Sequence, residues 1–158
     1  MSETIAGVRI PDSKLAREAT ELLREHGTPL LHAHSLRVFL FGSLRGRHRG
    51  LHVDPELLYV GAVFHDFGLT PNYRSRDHRF EVDGANAARD FLRANGIDDE
   101  SAGVVCSAIA SHTTPADSSS MPLACRNSRA ASAPSTSNRW SRLRYFGVSP
   151  KSWNTAPT

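Results

Sequence analysis

Four side chains in this sequence could do chemistry together: His34, His65, Asp66 and His112. Imidazole and carboxylate are ligands that zinc, iron(II) and manganese accept, and an imidazole also gains or loses a proton near neutral pH. His65 and Asp66 sit side by side in GAVFHDFGL, residues 61–69, an apolar run in which leucines would pack better. A charged carboxylate on an apolar helix is costly unless it is paired or bound to a metal. The dipeptide alone is a weak signal, since eight histidines and nine aspartates among 158 residues give about 0.5 such pairs by chance. A core histidine hydrogen-bonded to a neighbouring carboxylate explains the pair taken by itself.

The pair gains meaning from its company. His34 lies in LLHAHSLRVFLFGSLRGR, residues 30–47, at helical spacing with Leu31, Val38 and Phe41. His112 follows Val105 and Ile109 on another apolar stripe. Neighbouring residues on a helix point about 100° apart, so His65 and Asp66 can share one ion only near a helix end, and Gly68 puts that end close by.

Five helices are expected to position these groups, with no strand alternation anywhere, so the fold class is all-α. The first covers 13–26, with Leu15, Ala19, Leu22 and Leu23 facing inward, Asp12 or Ser13 capping its start and Gly27 its end. The second holds the His34 stripe. Asp54-Pro55-Glu56 starts the third, which runs to about Gly68. Residues 69–81, LTPNYRSRDHRFE, read as a loop over the mouth of whatever His65 lines. Asp83 caps a fourth helix that buries Ala85, Ala88, Phe91 and Leu92 and stops at Gly96, and a fifth begins near Asp98 and Asp99.

After Pro115 the composition breaks. Residues 117–142 hold eight serines and four arginines, and 118–158 hold six basic residues and no acidic one. This gives an incomplete helical domain over 1–116 and an irregular or disordered tail over 117–158. An Arg/Ser/Ala/Pro mixture without acids is also what a GC-rich coding sequence yields out of frame, so a frame change near residue 116 is expected. The net charge of +3 splits accordingly: 1–117 carries 13 basic and 16 acidic residues, net −3, and the tail +6. A pI near 9.2 therefore describes the tail, and nucleic acid is not an expected partner. No apolar run has the length of a membrane span and no secretory leader opens the chain, so a cytoplasmic protein with reduced Cys106 and Cys125 is expected.

HAHSLRVFLFG, LLYVGAVFHDFGLT, RFEVDGANAARDFL and AIASHTTP, spaced through residues 30–114, resemble the HD-domain superfamily of metal-dependent hydrolases, most of all its cyanamide hydratase-like branch. That family's fold is a helical bundle. The resemblance implies His34, His65 and Asp66 as metal ligands, His34 being preferred to His32 because Ser35 and Arg37 follow it. It implies one divalent ion, zinc first and iron(II) or manganese as alternatives, because Phe80 stands where dinuclear members carry a bridging histidine. Asp66 and His112 would be catalytic, with His112 and Asp83 also meeting the substrate. Each has a plainer alternative: His112 as a core residue, Asp83 as a helix cap. Glu81 joins Asp83 in shaping the pocket. The family's final aspartate ligand has no counterpart in 118–158, and Asp117 comes early for it.

The implied activity is that of a hydrolase or hydratase using metal-activated water on a small molecule, cyanamide or a nitrile of that kind. One competing expectation is a nucleotide phosphohydrolase, for which Arg74, Arg76 and Arg79 offer charge. Another is a truncated, inactive metal-binding or interaction domain that self-associates through exposed apolar surface. RGRHRG at 45–50 and His48, His52 and His78 read as solvated surface, and no nucleotide-loop or serine-hydrolase motif is present.

Overall fold

The computed structural model describes residues 3–113. Five α-helices follow a small hairpin: β1 (Thr4–Ile5), β2 (Val8–Arg9), α1 (Lys14–His26), α2 (Pro29–His48), α3 (Pro55–Phe64), α4 (Phe80–Ala94) and α5 (Asp99–Ala110), with a 3-10 turn at Phe67–Leu69. The all-helical expectation holds apart from that hairpin. Its strands, paired Thr4 with Arg9 and Ile5 with Val8, are too short to show alternation in sequence. Ala6 and Gly7 both adopt positive φ, as the tight turn between twisted strands requires.

α3 is the hub. Residues Leu58 to Phe64 are all buried, and α1, α2, α4 and α5 pack around it. A helix apolar on every side has this central place. Asp54 caps it by accepting from the Glu56 and Leu57 amides, and Pro55 occupies its first turn. The helix stops at Phe64 rather than near Gly68, with His65 at its C-terminal cap and Asp66 beyond.

Two glycines explain the stop. A Cβ on Gly84 of α4 would lie 2.5 Å from the Phe64 carbonyl, and one on Gly68 would collide with the Phe80 carbonyl. The first turns of α4 are thus pressed against the end of α3, where the backbone must turn away. α4 also starts earlier than expected, at Phe80 after Arg79, so Asp83 is not its cap.

α2 keeps the expected period and shifts its phase. Ser35, Phe39 and Gly46 are buried, Leu31 and Val38 sit at the edge of the core, and Phe41 is 51% exposed. His34 therefore lies on the flank of the bundle, not at its centre. Leu30, Phe41 and Leu44 leave apolar surface on this helix. α5 begins at its cap Asp98, which accepts from the Ser101 amide, and buries Ala102, Val105, Cys106 and Ile109. No helix among the described residues is long and apolar enough to cross a membrane. The expectations for the tail, Asp117 and Cys125 fall outside the described residues.

Candidate metal centre

His34 arrives from α2, His65 and Asp66 from the end of α3, and His112 from just past α5. The C-terminal ends of α3 and α5 thus both face the cluster, and the partial negative charge of a helix C-terminus favours a cation. His32 stays outside the group, whereas His34, His65 and Asp66 form a set of donors able to hold a metal ion.

The geometry is specific. His34 Nε2 lies 3.1 Å from His65 Nε2 and 3.4 Å from Asp66 Oδ2, and His65 Nε2 lies 3.2 Å from that same oxygen. A tetrahedral ion with bonds of about 2.0–2.1 Å has its ligand atoms about 3.3 Å apart, so these three atoms have the spacing of one tetrahedral face. His65 Nδ1 is 2.8 Å from the Ala62 carbonyl. A carbonyl only accepts, so Nδ1 carries the hydrogen and the Nε2 lone pair of the neutral ring is directed at the shared point. This donation from the far nitrogen to a backbone carbonyl is how metal-binding imidazoles are oriented. The donor set fits one divalent ion.

His112 differs. Its Nδ1 lies 2.7 Å from the Ile109 carbonyl and its Nε2 3.5 Å from Asp66 Oδ1, so both nitrogens face acceptors. Burial works against its charge, but Asp66 and the Ile109 carbonyl outweigh burial and raise its pKa. For Asp66, burial favours protonation, yet the adjoining imidazoles of His112 and His65 hold the carboxyl far below the usual carboxylate range. Burial, then the neighbouring His65, lowers the pKa of His34 against the pull of Asp66. The site thus holds two imidazoles suited to ligation, one suited to carrying a proton, and an ionised carboxylate joining them.

Other expected site residues sit around this core. Asp83 lies in the first turn of α4, where its Oδ2 accepts from the Ser75 amide at 2.7 Å and its Oδ1 is 3.6 Å from His78 Nδ1. It fastens the loop after α3, and the structure does not bring it into the His-Asp cluster. Tyr73 packs its ring at a tilt against Phe67, and Asn72 meets His26 of α1 at 2.9 Å, giving that loop two further anchors. Arg79, expected as a phosphate contact, is bonded to Glu81 and Thr113. Its tie to Thr113 had no sequence signal, because the two lie 34 residues apart in no shared periodicity.

The family model described as HD domain matches residues 31–140, well over half of the 158-residue chain, and the matched span contains the four clustered residues. No curated protein matches. A helical bundle that gathers a histidine from one helix and a His-Asp pair from the end of a later one, together with that match, establishes that the chain belongs to the HD domain family.

Proposed function

We propose that this protein is a metal-dependent hydrolase or hydratase, the activity typical of its family, and that His34, His65 and Asp66 hold one divalent ion, zinc before iron(II) or manganese. The carrying observation is the triangle of donor atoms with edges of 3.1, 3.2 and 3.4 Å. When bound, such an ion supplies Lewis acidity and makes water a nucleophile near neutral pH.

The chain's own residues manage the protons. Asp66 orients the attacking water, and its Oδ1, facing His112, takes the water's proton only in passing, as His112 gives up one of its own. His112, with both nitrogens protonated, has a proton to donate to the atom that gains negative charge. On a nitrile such as cyanamide, the water oxygen bonds to carbon and the nitrile nitrogen takes a proton. The imidic product then tautomerises to urea, so no further reactant is needed. The quoted likeness of four segments to the cyanamide hydratase-like branch supports this substrate. Arg79 is engaged by Glu81 and Thr113, which weakens the phosphoester alternative.

Elemental analysis tests the centre. The wild type is expected to carry about one zinc per chain and a His65→Ala, Asp66→Ala double variant almost none; equal content in both would overturn the assignment. Urea formation from cyanamide, measured against phosphate release from deoxynucleotides, tests the substrate.

A further inference from the structure

His112 stands beyond the last residue of α5, where helices fray. Its local support is thin: the Ser111 amide, the His112 amide and His112 Nδ1 all bond to one carbonyl, that of Ile109. The next residue, Thr113, is exposed, yet it is fixed from a distance. Thr113 Oγ1 donates to Glu81 Oε1, and Arg79 Nη2 donates to that oxygen at 2.6 Å and to Thr113 Oγ1 at 3.0 Å. The three side chains close a ring between the start of α4 and the residue after His112.

Glu81 is the unusual member. It is only 2% exposed, and all its partners converge on Oε1, while Oε2 has none among the described residues. A buried carboxylate satisfied on one oxygen is a poor device for stability, since an apolar side chain would pack there without desolvating a charge. It is a good device for position, because hydrogen bonds to a charged acceptor are short and directional. Glu81 also lies on the same face of α4 as Gly84, Ala85 and Ala88, the face pressed against the end of α3. The ring is thereby referenced to the backbone that carries His65 and Asp66.

We propose that Glu81 is a positioning residue for His112: through Thr113 and Arg79 it fixes the chain past α5 and so keeps the His112 Nε2–H on the Asp66 carboxylate. The relevance of this clamp to turnover rests on the proposed metal-dependent reaction, but the clamp itself does not. Bulkier aliphatic or shorter side chains at 81 would free the imidazole without touching any metal-ligating atom.

The test is solvent exchange of the His112 Nε2–H, followed by NMR on the full chain labelled with nitrogen-15 and without added metal. The wild-type proton is expected to be protected. Glu81→Ala and Thr113→Val should each speed exchange by about tenfold or more, whereas Glu81→Gln and Thr113→Ser, which keep the acceptor and the hydroxyl, should stay near the wild type. Thr113→Val changes an exposed position, so it remains informative if Glu81→Ala fails to fold. An unchanged rate in folded Thr113→Val, or a wild-type proton exchanging as fast as that of free imidazole, would overturn the proposal. If the exchange pattern is as expected but the chain takes up no zinc, the metal reading falls and the clamp stands. With zinc loaded and cyanamide turned over, Thr113→Val should lower kcat about 10- to 100-fold and leave KM within about twofold.

Discussion

At the scale of single residues, the site separates His65 from His112 by what their two ring nitrogens face. His65 gives its Nδ1–H to a carbonyl and turns Nε2 toward His34 and Asp66, while His112 has an acceptor at each nitrogen. A pH dependence follows. The folded pKa of His112 is raised above 6.5, so the stability it contributes is complete below that pH and is lost as pH rises through the folded value. His34 acts in the opposite sense, because its lowered pKa makes its protonation below 6.5 unfavourable to the fold. Urea midpoints of the metal-free protein, measured from about pH 6 to about pH 9, should fall in the wild type and fall much less in His112→Gln. These residue types were legible in the sequence because each interrupts an apolar stripe. Glu81 was expected beside Asp83 in shaping the pocket, but its tie to Thr113 was not legible, since that contact joins elements whose approach no local spacing encodes.

At the scale of elements, most caps and the buried faces of α4 and α5 were readable, and the α3–α4 boundary and the phase of α2 were not. Ser13, Asp54, Asp98 and Gly27 act where their chemistry predicts. The end of α3, the start of α4 and the buried face of α2 depend instead on how helices press on one another, which a single element's pattern does not contain. The glycines at that contact give a paired prediction. Gly84→Ala, whose new Cβ would meet the Phe64 carbonyl, should cost about 1–3 kcal/mol in urea unfolding. Gly103→Ala, at a helical position in α5 with open space around it, should instead gain about 0.5–1 kcal/mol. A result with the two signs reversed would mean that α4 does not approach α3 as described.

For the whole molecule, an ion site assembled from two helices would couple ion binding to folding. The proposed ligands come from α2 and the end of α3 and converge only in the folded chain, so an ion bound by them would stabilise the fold by mass action. Zinc at a thousandfold excess over its Kd should add about 4 kcal/mol, a rise of about 10 °C in Tm by calorimetry, which EDTA reverses and His65→Ala abolishes. The sequence pattern foretold the helical fold. It also marked the change of character after Pro115, a boundary that falls outside the described residues although the HD domain match continues to 140.

The rotated phase of α2 has one more consequence. Of the three proposed donors, the His34 side chain is 44% exposed, against 18% for Asp66 and 5% for His65. Solvent meets the centre on one side, through the imidazole on the outer helix. An ion held there would be loaded and stripped past that exposed ring, without opening of the bundle. Chelators should act quickly at temperatures far below unfolding, and a bulky neighbour grafted beside His34 should slow ion exchange in both directions while leaving the equilibrium affinity nearly untouched.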